Sequence, residues 1–355
     1  MIRQDSSRNK LFFTAELLKW NKLRNSRVMP WKNEKDPYKI WISEIILQQT
    51  RVEQGLEYYK RFVKEYPSVQ DIADARESNV FKIWEGLGYY SRCKNIIASA
   101  KYIVNELKGN FPENFESILQ LKGVGNYTAS AIASFAYNHP HAVLDGNVFR
   151  VLSRFFGIRT AIDGKDKSIY SSLAHDLLDK KNPGIYNQAI MDFGATICKP
   201  KIPLCSICPL QQKCFAFLNG MVNMLPQKEK TITRKSRWLY YLLIEYRNKF
   251  YVRKRLAKDI WQNLNEFVLI ETEKLVSIAA LQSSEPFSQI LNSEDFTIIS
   301  VSRIYKQQLT HQIITGQFIR IKIKNRISPD GYQLISLKEI DLLPFPKFIT
   351  AYLKD

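Results

Sequence analysis

The stretch Leu121-Lys122-Gly123-Val124-Gly125-Asn126-Tyr127-Thr128-Ala129 reads as a tight turn opening a helix. Gly123 and Gly125 allow conformations and a close backbone approach that a side chain would block. Free amides at a helix start favour an anionic oxygen. Ala129, Ala131, Ala133 and Ala136 keep that helix slim, so something can pack close to it. Downstream, Val143-Leu144-Asp145-Gly146-Asn147-Val148 sets one carboxylate between apolar residues and a Gly-Asn turn. A phosphate grip followed by a semi-buried acid suggests chemistry on a nucleic acid. The plainer reading is a helix–loop–helix turn with a helix-capping aspartate, and the turn alone does not separate the two, because short glycine motifs recur by chance. Glu44 lies in the apolar run around Ile40, Trp41, Ile45, Ile46 and Leu47. It is either a helix-surface acid or a carboxyl whose pKa is raised by desolvation. Cys198, Cys205, Cys208 and Cys214 follow the spacing C-x6-C-x2-C-x5-C. That spacing indicates a metal site, and zinc and a [4Fe–4S] cluster both fit the ligand set.

The elements that must hold these residues are mostly helical. Residues 11 to 25 form a helix with Phe12, Leu17, Leu18 and Trp20 inward, broken at Met29-Pro30-Trp31-Lys32. Asp36-Pro37-Tyr38 starts the next element, and a helical pattern runs from Tyr38 to about Lys64. Gln48, Gln49, Thr50 and Arg51 form an unusual polar tip within it. Residues 69 to 110 read as two or three short helices, with Gly86-Leu87-Gly88-Tyr89-Tyr90-Ser91-Arg92 between them. That loop could wedge into or stack on bases, or it is a glycine-capped helix end with core tyrosines. Helical segments follow at Val151 to Phe156, Ser168 to Leu178 and Tyr186 to Thr196.

Beyond a polar linker at 226–236 the period changes. Leu239 to Glu245 and Phe250 to Arg253 form a hairpin turning at Arg247-Asn248-Lys249. Phe267 to Glu271, Thr297 to Val301 and Phe318 to Ile323 read as strands, with helical stretches at Leu275 to Leu281, Phe287 to Leu291 and Leu337 to Ile340. The expected chain is multidomain: an all-α domain at 1–225, the linker, and a smaller α+β domain at 237–355.

Lys and Arg number 52 against 34 Asp and Glu, a net charge of +18 that suits a polyanionic partner, nucleic acid first. No run is long and apolar enough to span a bilayer, and Met1 to Lys10 does not read as a signal peptide. Four of the five cysteines are clustered, which argues against a secreted disulfide framework. The expectation is a monomeric protein of a reducing, cytoplasmic compartment, with no membrane partner.

Five motifs in one order closely resemble the MutY-type adenine DNA glycosylases of the helix-hairpin-helix superfamily: Trp41 to Thr50, Gly86 to Arg92, Leu121 to Ala129, Leu144 to Val148 and the four cysteines. The match covers roughly residues 10 to 220, and the last third resembles that family's Nudix-like domain more weakly. The resemblance implies a helix-hairpin-helix glycosylase domain with a [4Fe–4S] cluster on Cys198, Cys205, Cys208 and Cys214. It also implies removal of adenine mispaired with 8-oxoguanine or guanine in double-stranded DNA. Such a reaction needs the base flipped out and two carboxyls of different protonation state. By resemblance Glu44 protonates adenine, Asp145 stabilises the oxocarbenium-like sugar or attacks it, and Asn147 and Tyr127 support them. Gln49, with Thr50 beside it, enters the space near the extruded base, and Leu87 and Tyr89 contact or wedge the strand around the oxidised guanine. Gly123, Val124 and Gly125 offer amides to a phosphate, with a monovalent cation at the turn. Lyase relatives carry lysine where Tyr127 stands, so a monofunctional enzyme is expected. Three departures stand out. Lys122 replaces the family's usual proline, Lys32 a more frequent arginine, and Leu309-Thr310-His311 a lesion-reading Phe-Ser-His. No complete Nudix catalytic box is visible in 238–290, so no nucleotide hydrolysis is expected there.

Overall fold

A computed structural model describes residues 2–164, 166–229, 233–291 and 294–355, with side chains from residue 7 onward. Residues 230–232 of the expected linker lie outside the described residues. In chain order the helices are α1 (Ile2–Arg24), α2 (Pro37–Leu47), α3 (Val52–Glu65), α4 (Val69–Asp74), α5 (Glu77–Trp84), α6 (Tyr90–Glu106), α7 (Phe115–Leu119), α8 (Asn126–Ala136), α9 (Gly146–Phe156), α10 (Ser168–Leu177), α11 (Pro183–Thr196) and α12 (Phe215–Leu218). Two short 3-10 turns, Cys205–Ile207 and Gln211–Lys213, precede α12. Then come strands β1 (Lys235–Tyr246), β2 (Lys249–Lys254) and β3 (Asn265–Thr272), helices α13 (Ile278–Gln282) and α14 (Glu285–Leu291), and strands β4 (Phe296–Val301), β5 (Tyr305–Gln308), β6 (Gln312–Ile323) and β7 (Gln333–Ser336). Helices α15 (Leu337–Leu342) and α16 (Lys347–Leu353) close the chain. No described helix is long and apolar enough to cross a membrane.

The chain divides into two compact units: Met1–Ala73 with Ala98–Lys230, and Asp74–Ile97 with Thr231–Asp355. In the first, Phe13, Leu17 and Trp20 of α1 join Val148, Leu152 and Phe155 of α9 and Ala189, Ile190 and Phe193 of α11 in one core. Helix α2 starts as its residues require. The Asp36 carboxylate accepts from the Tyr38 amide at 2.9 Å, and Pro37 takes the first helical position, where its missing N–H costs nothing. The expected continuous pattern from Tyr38 to Lys64 is two helices. The chain turns at Gln48–Arg51, where Gln49 adopts φ +55°, so the apolar period runs on while the axis changes. Helix α8 buries Ala129, Ala131 and Ala133 completely, and small residues there let α2, α7 and α11 approach it.

The second unit is built on a mixed sheet of order β4-β6-β1-β3-β2-β7, with β5 also on β6. Strand β1 runs parallel to β6 and antiparallel to β3. One face of the sheet packs Tyr240, Leu242 and Ile244 on Leu281, Phe287 and Leu291 of α13 and α14. On the other, Tyr241 stacks on Phe318 at 5.3 Å and Phe318 on Tyr352 of α16 at 4.2 Å. Burial on both faces is why β1 lacks clean alternation. The β1–β2 hairpin turns at Arg247 and Asn248, both with positive φ, as a two-residue hairpin loop requires. Strands β5 and β7 and helix α16 were not expected from the sequence; β5 and β7 are four-residue edge strands with weak patterns.

The segment Asp74–Ile97, which the sequence reading leaves within the helical domain, belongs to the second unit, and its bonds reach the α15–α16 connection. Lys82 Nζ donates to the Leu343 carbonyl oxygen at 2.9 Å, and the Glu85 carboxylate accepts from the Phe345 amide at 2.8 Å.

Candidate active site

In the first unit, α2, α8 and α9 bring Glu44, Tyr127 and Asp145 within electrostatic reach of one another. Glu44 is 7 % exposed, buried among the apolar residues of α2. Burial pushes its carboxyl up to about 7, a hydrogen bond from Tyr127 opposes the rise, and the Asp145 charge adds to it. A carboxyl with that value is about half protonated near neutral pH. The Tyr127 phenol is itself pushed well above its ordinary value, by burial first and then by the two acids. Its hydroxyl also points at Met191 Sδ, 3.5 Å away.

Asp145 does cap a helix, and it also faces the site. Its Oδ1 accepts from the Val148 amide at 2.7 Å at the start of α9, and its Oδ2 accepts from Asn147 Nδ2 at 2.7 Å. Burial outweighs those two bonds, the Asn147 backbone amide and the Arg150 charge, so its pKa too is raised from the ordinary value. Two like carboxyls thus sit in unlike surroundings: Glu44 has apolar neighbours, and Asp145 is held by donors. Donors of that kind favour the ionised form, and apolar neighbours the protonated one.

The sequence reading missed Arg150. Its Nη2 donates to Asn147 Oδ1 at 2.8 Å and to the Gly194 carbonyl oxygen at 2.7 Å, and its Nε donates to the Cys198 carbonyl oxygen at 2.7 Å. Gly194 is glycine for a spatial reason. A Cβ there would meet Asn147 Cβ at 2.6 Å and the Asn147 carbonyl oxygen at 3.0 Å. Also missed were Gln188 and Asp192 of α11. A pocket lined by Trp31, Lys32, Ser43, Glu44 and Gln188 opens beside the acid. Lys32 Nζ is anchored to the Arg27 carbonyl oxygen at 3.1 Å and to Asp192 Oδ2 at 3.2 Å. The available signal was an acid inside the apolar run Ala189-Ile190-Met191-Asp192-Phe193.

Around the helix-hairpin-helix turn, Gly123 has φ +80°, the left-handed conformation that glycine permits. The Val124 amide is spent on the Leu121 carbonyl oxygen at 3.1 Å, so it is Gly123 and Gly125 that are left to offer amides to an anion. Lys122 is exposed. Gln49 projects from the α2–α3 turn, exposed, and Thr50 donates its amide to the Leu47 carbonyl oxygen at 3.2 Å.

In the second unit, Leu87 is buried and Tyr89 is 41 % exposed with φ +48°. Of these two it is therefore Tyr89 that faces outward. The Tyr89 and Thr310 hydroxyls meet at 2.5 Å. His311 is exposed, its carbonyl oxygen accepting from the Lys235 amide at 2.9 Å.

The four cysteines form no disulfide, and Cys198, Cys208 and Cys214 pack on the core of the first unit. Arg154 Nη1 donates to Cys198 Sγ at 3.4 Å, and Cys214 Sγ donates to the Arg154 carbonyl oxygen at 3.5 Å. The sulfurs bear on one another electrostatically. Among the described residues no group of three or more His, Cys, Asp or Glu is placed to hold a metal ion. As a donor set, four soft thiols fit zinc or a sulfur-ligated iron cluster.

Residues 42–173 match the HhH-GPD superfamily of base excision DNA repair proteins. An adenine DNA glycosylase of Buchnera aphidicola subsp. Schizaphis graminum is 38% identical over 266 residues, covering 74% of this chain and 76% of that protein. A human adenine DNA glycosylase is 40% identical over 217 residues, covering 58% of this chain and 39% of that protein. Among solved structures, a thermostable thymine-DNA glycosylase superposes with a TM-score of 0.57 at 28% identity, covering 60% of this chain and 98% of that one.

Proposed function

The chain belongs to the adenine DNA glycosylase family within the HhH-GPD superfamily, and on that premise we propose that it removes adenine paired with 8-oxoguanine or guanine from duplex DNA. The observation that carries the chemistry is Glu44, buried with its carboxyl raised to about 7, beside an Asp145 held by hydrogen-bond donors.

The extruded adenine enters the pocket beside Glu44. Glu44 gives its proton to a ring nitrogen as the N-glycosidic bond breaks, so the bonding pair leaves with a neutral base. Positive charge develops on the sugar, and the Asp145 carboxylate stabilises it. Water adds at the anomeric carbon, and Glu44, now ionised, takes up its proton. Asn147 holds the Asp145 carboxylate in place, and Tyr127 supports Glu44. Tyr127 has no amine to form a Schiff base, so the enzyme is monofunctional.

The amides of Gly123 and Gly125 would take a DNA phosphate, with a monovalent cation at the turn, and Lys32, Gln49 and Thr50 would border the extruded base. Cys198, Cys205, Cys208 and Cys214 would hold a [4Fe–4S] cluster. When bound it supplies a cross-link that shapes the loop carrying Lys199 and Lys201. The domain at 237–355 is a Nudix-like lesion reader, in which Thr310 and His311 with Tyr89 read the base opposite adenine.

The test is single-turnover excision from a labelled duplex with adenine opposite 8-oxoguanine, with samples split between alkaline and mild quenching. Strand breaks only after alkali are expected. Breaks without alkali would bring Lys122 and lyase chemistry forward, and tight binding with no excision would leave a DNA-binding relative without the activity.

A further inference from the structure

A third acid lies deeper than the two assigned to the chemistry. Asp192 has no exposed surface. Its Oδ1 accepts from Arg27 Nη1 at 2.8 Å and Gln188 Nε2 at 3.0 Å, and its Oδ2 accepts from Asn25 Nδ2 at 2.9 Å and Lys32 Nζ at 3.2 Å. Three of these donors come from the segment 25–32 and one from a turn earlier on α11. Two of them, Lys32 and Gln188, also line the pocket beside Glu44.

Paired with a guanidinium and an ammonium, Asp192 is a carboxylate, and a carboxylate only accepts. An amide has its NH2 on one side and its oxygen on the other. With Nε2 turned to Asp192, the Gln188 oxygen is turned away. The reversed amide would set two oxygens together with no proton between them, against a carboxylate that has no exposed surface.

We propose that Asp192 is a positioning residue for base selection. It locks the Gln188 amide so that the pocket meets the base with a carbonyl acceptor, which suits the amino group of a 6-aminopurine and opposes the oxygen of a 6-keto purine. A site built to hydrogen-bond a particular group rejects the analogue lacking it far more strongly than shape alone can. The inference rests on the reading that adenine enters this pocket.

The test compares single-turnover excision from two duplexes that differ only in the target base, adenine or hypoxanthine. In Asp192→Asn the amide at 188 is free to turn, and the adenine-to-hypoxanthine rate ratio should fall at least ~10-fold. Adding Gln188→Glu to Asp192→Asn should restore adenine excision. The new Asn NH2 donates to one carboxylate oxygen, and the other accepts from the base. Should Asp192→Asn fail to fold, Gln188→Met, on the pocket wall, should show the same fall in ratio with melting near wild type. An unchanged ratio in folded Asp192→Asn or in Gln188→Met would overturn the proposal, as would equal losses on both bases with no recovery in the double variant. A wild-type chain that leaves adenine in place would instead overturn the function beneath it, and that failure is visible before any variant is compared.

Discussion

Arg150 Nη2 donates to Asn147 Oδ1 at 2.8 Å, and Asn147 Nδ2 in turn donates to Asp145 Oδ2 at 2.7 Å. The guanidinium therefore fixes which end of the Asn147 amide faces the site acid. Its Nε reaches the Cys198 carbonyl oxygen, so two side chains join Asp145 to the first of the four clustered cysteines.

Arg150→Lys keeps the cation but lacks the planar fork that serves Asn147, Gly194 and Cys198 together. Excision should fall about 10-fold or more, and stability should drop by about 2 kcal/mol for the charged hydrogen bonds lost. Single-turnover rates with thermal melting check this. An unchanged rate would mean that Asn147 is oriented by other contacts.

The elevated Glu44 pKa gives two linked expectations. The acid must be protonated, so the excision rate should fall as pH rises through about 7. For stability, the folded value lies above the ordinary 4.5. The folded state thus holds the proton more tightly, a contribution fully present below 4.5 and lost as pH rises through about 7. Above that, the charged, buried Glu44 costs up to about 3 kcal/mol. Glu44→Gln should abolish excision yet melt at a higher temperature than wild type at pH ~8, a gain absent near pH ~4. Equal melting temperatures at the higher pH would show that Glu44 is not raised.

Asp145 caps α9, and in the proposed mechanism it also stabilises the sugar; two substitutions separate the duties. Asparagine caps helices about as well as aspartate, but its NH2 would face the Asn147 NH2 that Arg150 holds in place, so Asp145→Asn should lose about 1 kcal/mol while excision falls at least ~100-fold. Asp145→Ala should lose a further ~1 kcal/mol of stability with the cap. Substantial excision by Asp145→Asn would remove the carboxylate from the mechanism.

Gly194→Ala would set a methyl group 2.6 Å from Asn147 Cβ. Crowding of this kind costs about 1–3 kcal/mol. Because the atom displaced carries Asn147, excision should fall as well. A structure of the variant with Asn147 unmoved and full activity would count against that coupling.

The two acids proposed for the chemistry were the most legible in the sequence, because each breaks a local rule. Glu44 is an acid in an apolar helix, and Asp145 precedes a Gly-Asn turn. The hairpin at Arg247-Asn248 was legible for the same kind of reason, since its turn chemistry is local. Arg150 was not legible, and Asp192, though an acid in an apolar run like Glu44, gave no sign of its partners. Their partners are far off in sequence: Arg150 reaches Gly194 and Cys198, and Asp192 reaches Asn25, Arg27 and Lys32. Periodicity in a single helix carries no record of such pairings. The break at Gln48–Arg51 was obscured because the apolar spacing continues across it.

The path of the chain has a consequence for how the second unit is tethered. Asp74–Ile97 belongs to it by contact, though the chain returns to the first unit before the sheet begins. A nick between 229 and 233 would therefore leave the two units joined. The N-terminal piece would carry Lys82, Glu85 and Tyr89, and the C-terminal piece their partners Leu343, Phe345 and Thr310. The linker is then one tether among several, and cutting it alone leaves two fragments that still share a folded unit.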